Sequence, residues 1–393
     1  MNALNRSKFG CPAFSGHGFT IVELMVAMVL GIFLSIGLIQ MLAGNKASYK
    51  TRESLSRMQE DSSFAMDYLS EKMRIAGFDG CGKNSNVTNT LSLNSPPFWW
   101  QDYGADKLIR GFDGTDDGNG AESFSYVTGV TKADGTDAVI ALLIDTTNTY
   151  FASSYTKDDA TFAATVNTLD RANNSHLVAD DIVLFCDGFT QKTALLRVDS
   201  VNTSTPSLTC TGSLTAVTVT PVTSGNSPGR FMDYIPMAFY LAPSKMGSVQ
   251  STDDTYLSLY QLQLGRNCPT NGGGTTPYCT LSQELVKGVQ NMQILYGVDT
   301  DVTANGAANQ YLTATSVTDW TRVVSMRIYL LIASTSTKDQ AGHTPAAVVD
   351  QQQTGLKFPS DFSTNLAGTD YSLPSNDLRL YKVYTLAVRL RNR

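Results

Sequence analysis

"GHGFTIVELMVAM", Gly16 to Met28, runs on through "VLGIFLSIGLIQMLAG", Val29 to Gly44, and sets one carboxylate, Glu23, inside an otherwise apolar segment. From Phe19 to Leu42, Glu23 is the only ionisable residue. About 24 residues rising ~1.5 Å each match the ~30 Å hydrocarbon core of a bilayer, so the stretch predicts a transmembrane helix over residues 19–42. Later apolar runs such as "AVIALLI" (Ala138–Ile144) and "MRIYLLIA" (Met326–Ala333) stop after about eight residues and suit buried strands. The sequence therefore predicts a single span. A carboxylate costs roughly 2–3 kcal/mol at mid-membrane and less near an end, so Glu23 is expected where it gains a partner.

The rest of the chain is globular in composition. With 393 residues, 42% hydrophobic and only 16% charged, it is long enough for one large domain or two ordinary ones, each with a core. A net charge of -6 gives no basic excess for gripping phosphate, so specific nucleic-acid binding is not indicated. Five of the six cysteines lie beyond residue 80 in Asn/Thr/Ser/Gly-rich surroundings, which predicts an oxidising compartment. Arg6 and Lys8 precede the span while Lys46, Lys50 and Arg52 follow it, so loop charge alone leaves the orientation open.

Past the span, "SLSRMQEDSSFAMDYLSEKMRIAGF" (Ser54–Phe78) repeats Leu55, Met58, Ala65, Leu69, Met73 and Ala76 at three- and four-residue steps. That pattern predicts an amphipathic extension of the same helix over 43–76, with Gly77 as its stop. Residues 77–393 read as strands divided by polar turns. The candidates are "SFSYVTGV", "AVIALLID", "DIVLFCD", "ALLRVDSV", "AVTVTPV", "MAFYLA", "YLSLYQLQL", "VQNMQILYGV", "VVSMRIYLLI" and "YKVYTLAVRL". Val324, Met326, Ile328, Leu330 and Ile332 alternate, as do Tyr384, Leu386, Val388 and Leu390, which fits antiparallel sheets covered on one face. Turn-rich insertions are expected at 83–120, 145–178, 201–229 and 265–281. A soft boundary near 230 divides a variable part, 83–230, from a more regular one, 231–393. The fold class predicted is α+β: a long amino-terminal helix on an antiparallel, β-rich domain.

Catalytic chemistry finds little support. His17, His176 and His343 sit among polar residues without Cys, Asp or Glu at ligand spacing, and there is no nucleophile elbow, P-loop or dinucleotide fingerprint. No enzyme activity and no cofactor are expected. "DTDVTANG" carries Asp299 and Asp301 in the alternation of a calcium loop, but its glycine is misplaced and no Glu completes the pattern, so a turn is the stronger reading. "DGTDDGNG" (Asp113–Gly120) is read the same way. Trp99 and Trp100 are read as core or loop anchors ahead of a contact surface.

An ordinary secretory signal places its small-residue cleavage site after the hydrophobic run; here Gly18 stands before it. Gly18, Phe19, Thr20 and Glu23 closely resemble the processing signature of type IV prepilins and pseudopilins. The resemblance implies a leader, 1–18, cut between Gly18 and Phe19 by a prepilin peptidase. It further implies an N-methylated Phe19, and a Glu23 that pairs with the amino terminus of a neighbouring subunit. "LSEKMRIAGFDGC", "LVKGVQNMQILYGVDTD", "VVSMRIYLLI" and the terminal "VRLRNR" together resemble the PilW-type minor pilins of type IVa pili, over the first 82 residues and roughly 283–393. What that implies is an inner-membrane protein with its bulk in the periplasm, later at the pilus tip on the cell surface. Its implied partners are other minor pilins, the major pilin, the inner-membrane assembly platform and a PilY-type tip adhesin, in priming of pilus assembly, adhesion and twitching motility. Gln40 stands where major pilins commonly carry proline. A J-type pseudopilin of type II secretion is the alternative, and a signal-anchored extracytoplasmic adhesin or enzyme a third.

Removal of the leader takes Cys11 with it and leaves five cysteines. Cys268 with Cys279 is expected to close the "PTNGGGTTPY" loop, contributing roughly 3 kcal/mol by loop entropy. Cys186 with Cys210 is expected to join the edges of a hairpin, with Cys81 left free or exchanging into one of the pairs.

Overall fold

A single helix, α1 (Ile21–Ile75), takes in both the apolar run and its amphipathic continuation without a break. The computed structural model describes residues 20–78, 81, 86–91, 99–102, 104, 106, 108–114, 123–157, 161–166, 177–190, 192–202, 207–211, 229–244, 256–269, 275–334 and 379–390. The chain divides into two compact units, with the boundary between Glu53 and Ser54 inside α1. Gly77 ends the helix in the left-handed conformation, φ 81°, which a side chain would strain, and Phe78 N–H returns to Ile75 O at 3.3 Å.

The strands in chain order are β1 (Asn86–Asn89), β2 (Ile109–Phe112), β3 (Ala138–Lys157), β4 (Thr161–Val166), β5 (Ile182–Asp187), β6 (Lys192–Asn202), β7 (Ser207–Thr211), β8 (Arg230–Pro243), β9 (Leu257–Pro269), β10 (Thr275–Lys287), β11 (Val289–Val298), β12 (Gln310–Leu312), β13 (Val323–Ala333) and β14 (Tyr381–Arg389). They form a larger sheet ordered β10-β9-β8-β5-β6-β7-β4-β3-β2, with β1 parallel to β6, and a smaller sheet ordered β12-β11-β13-β14. The α+β class is as expected: one long helix and a sheet-dominated remainder.

The larger sheet closes on itself. β8 pairs with β5, β5 with β6, β6 with β7, β7 with β4, β4 with β3, and β3 returns to β8, every pairing antiparallel. This is a six-stranded barrel, and each of its strands contributes to one buried cluster that includes Tyr155, Phe162, Phe185, Leu196, Cys210 and Phe231. Neighbouring rings among Tyr155, Phe162, Phe185 and Phe231 lie 4.7–5.9 Å apart, in stacked, edge-on and tilted pairs. Two strands are shared between barrel and open sheet. The first part of β3, Ala138–Asp145, lies between β2 and β8, and its last part pairs with β4. Likewise β8 pairs with β5 through Arg230–Asp233 and with β9 through Met237–Pro243. Strands from both sides of residue 230 thus share one sheet.

Two further clusters lie on the two faces of the open sheet. One joins Val139, Leu143, Phe239 and Leu241 to Met58, Ala65, Leu69 and Met73 of α1, to Ala76 just past its end, and to Ile294, Met326, Ile328 and Leu330 of the smaller sheet. The other holds Trp99, Trp100, Phe112, Phe124, Tyr240 and Leu262. The helical periodicity therefore marks the buried face, except that Leu55 is exposed. On β13 the alternation holds from Met326 to Ile332, but Val323 rather than Val324 joins that core, and Tyr329 and Leu331 on the opposite face are also buried.

Four expectations need correction or fall outside the described residues. "SFSYVTGV" is a short helix, α2 (Phe124–Thr128), because i→i+4 bonds from Val127 N–H to Ser123 O and from Gly129 N–H to Ser125 O close it, and Gly129 at φ 71° ends it. The expected insertion at 145–178 is in part the barrel strands β3 and β4, and most of that at 265–281 is the β9–β10 hairpin. "AVTVTPV" lies outside the described residues.

Candidate functional site

At the amino end of α1, Thr20 and Glu23 cap one another. The Thr20 N–H donates to Glu23 Oε2 at 3.0 Å, the Thr20 hydroxyl donates to the same oxygen at 3.1 Å, and the Glu23 N–H donates to Thr20 Oγ1 at 3.3 Å. Thr20 stands at the N-cap and Glu23 at the third helical position, so "TIVE" is a reciprocal capping box. The two side chains satisfy backbone donors that otherwise have no acceptor at a helix start. Glu23 thus has a partner inside its own chain. The signal was present in the sequence as S/T-x-x-E and was read only as part of a processing signature. Gly18 and Phe19 lie outside the described residues.

From Ile21 to Lys46 every residue of α1 is exposed, including Ile21, Leu30, Phe33, Leu34 and Leu42. An apolar surface on all sides of one helix matches a lipid or helix-lined environment and no aqueous one. Among the described residues α1 is the helix long and apolar enough to cross a membrane.

The disulfide expectation is overturned in part. Cys81 is bonded to Cys186, with Cα atoms 5.3 Å apart, and Cys210 is a free, buried thiol. Topology explains both. The parallel pairing of β1 with the start of β6 brings the segment after α1 beside the β5–β6 turn, where Cys186 lies. Cys210 is on β7, with β6 between it and β5; its side chain points into the barrel, whereas Cys186 points into the cluster on the other face. Cys186 is therefore not paired with Cys210, and Cys81 is not free but takes the place of Cys210 in that pair, the exchange expected as the alternative. Burial pushes the Cys210 thiol far above its ordinary range, aided by the Asp199 charge, so it stays protonated and unreactive. Cys279 is disulfide-bonded, and its expected partner Cys268 stands across the β9–β10 hairpin, opposite Thr276; the Cys268 side chain lies outside the described ones.

The Asp299–Gly306 loop is closed by its own hydrogen bonds. Asp299 Oδ1 accepts the Asp301 N–H at 3.1 Å, and its Oδ2 accepts Asn305 N–H at 2.8 Å and Gly306 N–H at 2.7 Å. Asp301 accepts from the side-chain amides of Asn305 and Asn309, and Arg322 Nη1 donates to the carbonyls of Asp299 and Asp301. Burial opposes ionisation of Asp299, but the N–H groups of Gly306, Asp301 and Asn305 and the Arg322 charge outweigh it and hold the carboxyl below its usual range. Donors occupy the oxygens that a cation would need, so the turn reading accounts for Asp299 and Asp301. Among the described residues no group of three or more His, Cys, Asp or Glu is arranged to hold a metal. His17, His176 and His343 lie outside the described residues. Trp99 and Trp100 are 3% and 4% exposed, with Trp99 Nε1–H donating to Thr280 Oγ1 at 3.2 Å and Trp100 tilted against Tyr278, so both are core anchors.

No curated protein and no solved structure matches the chain. A family model described as "Type IV Pilus-assembly protein W", PilW, matches residues 248–392, which take in the β9–β10 hairpin and the whole of the smaller sheet and leave the barrel strands β4 to β7 outside. The carboxy-terminal part of the chain is thus similar to the PilW family of type IV pilus proteins, and a membrane-length amino-terminal helix and a β-rich domain agree with that likeness.

Proposed function

We propose that the chain is a minor pilin: made with a leader, 1–18, processed by a prepilin peptidase between Gly18 and Phe19, methylated on Phe19, and assembled with other minor pilins into a complex at the pilus tip that primes polymerisation. A pilus-assembly role follows from the family match, and an apolar amino-terminal helix agrees with membrane anchoring in the cell envelope. The observation that carries the finer reading is α1 itself. Its first part exposes apolar side chains on every side, while its last turns are buried on one stripe against the sheets. Such a helix is a subunit with half of its packing supplied by others.

The mechanism is structural. Before assembly, residues 19–42 hold the subunit in the inner membrane with its bulk in the periplasm. On assembly the helix leaves lipid for contact with the helices of the major pilin and sister minor pilins, exchanging one apolar neighbour for another at little hydrophobic cost. Glu23 has two tasks in this scheme. It caps its own helix through Thr20, and its remaining charge attracts the amino terminus of the adjacent subunit. The assembly platform supplies the site of insertion and a PilY-type adhesin the exposed tip partner. The subunit has no catalytic role and needs no cofactor.

Two substitutions test the charge of Glu23 with and without its capping acceptor. Glu23→Gln keeps an acceptor for the Thr20 N–H but removes the charge; Glu23→Val removes both. Membrane levels and leader removal should stay normal in each, with loss of the subunit from sheared pili and fewer surface pili in both. If Glu23→Val assembles and primes as the parent does, charge pairing has no part in assembly. Intact mass of the extracted protein checks processing: the mature chain should begin at Phe19, and Cys11 in the mature protein would overturn the cleavage site.

A further inference from the structure

Where the two sheets meet, the loop before β3 is tied to β11 by a buried polar group. Asp137, 4% exposed, takes the place of a strand partner on the edge of β11: its N–H donates to Met292 O at 2.8 Å and its Oδ2 accepts the Ile294 N–H at 2.7 Å. The neighbouring Gln293 Nε2 donates to Gly135 O at 2.9 Å. Lys132, 2% exposed, donates Nζ–H bonds to Gly114 O at 3.0 Å and Thr136 O at 2.7 Å. Asp113, at the end of β2, accepts from the N–H groups of Ala314 and Thr315 and from the Thr315 hydroxyl at 2.6–2.9 Å. The Tyr296 hydroxyl is buried with no hydrogen-bond partner among the described residues, in the space over Gly111 where a Cβ would stand 2.3 Å from its oxygen.

The charges of this group do not balance if every member is in its ordinary state. Two carboxyls, Asp113 and Asp137, face one ammonium, that of Lys132. Asp113 accepts three hydrogen bonds and is partly exposed, whereas Asp137 is buried with a single N–H on its carboxyl among the described residues, so a negative charge on Asp137 is strongly disfavoured.

We propose that Asp137 holds a proton when the joint between the two sheets is closed and that this proton locks the joint, so that its loss loosens the pairing of residues 135–137 with β11. Burial is the largest influence on Asp137 and raises its carboxyl well above the usual range; the Asp113 charge adds to it, while the Ile294 N–H and Lys132 oppose it. Tyr296 is raised by burial and then by Asp137 and Asp113, so it stays neutral and adds no compensating charge. Asp134, on the same loop, is exposed, and Arg322 is engaged with the carbonyls of Asp299 and Asp301.

The sign follows from linkage. The closed joint binds a proton that the open joint, with an ordinary carboxyl near ~3.9, releases. Stability is complete below about pH 4 and falls as pH rises toward the value in the closed joint, the opening constant growing about tenfold per pH unit in that window.

Hydrogen exchange on the full-length protein in detergent, corrected for intrinsic rates, tests this between pH 5 and 8. Protection at the Ile294 and Asp137 amides should fall about tenfold per unit over the window in the parent, and the slope should vanish in Asp137→Asn, whose amide oxygen still accepts the Ile294 N–H and which has no proton to lose. The same slope in both proteins would overturn the proposal. Carbon-13 NMR of selectively Asp-labelled parent protein reads the group directly and does not depend on the variant folding. One aspartate should keep a neutral carboxyl through pH 6, and titration of every carboxyl below pH 5 would equally overturn it.

Discussion

Two stretches of one helix differ in where their neighbours are. Between Ile21 and Lys46 every residue of α1 is exposed among the described residues; between Met58 and Ala76 the residues Met58, Ala65, Leu69, Met73 and Ala76 are 0–3% exposed. The first stretch is the more hydrophobic and the less buried. What distinguishes them is arrangement: the first is apolar on all sides, the second apolar on one stripe. A stripe is matched by a sheet of the same chain, whereas a surface without a polar side needs a lipid or many other helices.

The largest effect expected is at the junction after the second stretch. Replacing Cys81 and Cys186 by Ser removes a bond that closes 105 residues, and loop entropy puts its contribution at about 4–5 kcal/mol. Denaturant unfolding of the globular unit should show the loss, and unchanged stability would mean that the end of α1 is held by packing alone. Leu69→Ala comes next. A fully buried Leu cut to Ala costs roughly 3 kcal/mol, while Leu34→Ala in the first stretch should leave the unfolding midpoint of the globular unit where it was. Equal effects from the two would break the contrast outright. Thr20→Ala removes half of the capping box at about 1 kcal/mol, read as fraying of the first helical turn by NMR with the globular unit unaffected.

The smallest effect concerns acid. Asp299 is held below its ordinary range, so its contribution is complete above about pH 4 and is lost as pH falls through the lower value it has when folded. Asp299→Asn should flatten that part of the stability profile, measured as urea midpoints between pH 2 and 5. A profile unaltered by the substitution would mean that the hydrogen bonds of the loop do not depend on the charge.

Legibility in the sequence followed the physics of each element. The helix was readable because its buried side chains recur at helical spacing over many turns, and β5, β11 and β13 because their apolar runs are dense. The barrel was hidden. In "TTNTYFASSYTK" Tyr150, Ala152 and Tyr155 are the described side chains that join the barrel core, and a bulge between Ala152 and Ser154 shifts their spacing, so Thr, Ser and Asn read as turn residues. A strand with one small or aromatic face and one wet polar face carries a weak signal when its alternation is broken. Disulfide pairing was equally unreadable, because it depends on β6 lying between β5 and β7 and on the opposite directions of Cys186 and Cys210. Glu23 was legible by spacing, but its local hydrogen bonds to Thr20 were overlooked beside the larger puzzle of its charge.

The bond between Cys81 and Cys186 also sets a path for force. A pull applied at β5 passes through two sulfur atoms directly to the exit of α1, and the 104 residues between the two cysteines lie outside that covalent path. A subunit drawn by its helix and held at β5 would therefore be linked by a short covalent tether, independent of the hydrogen bonds of the intervening strands until the bond is reduced.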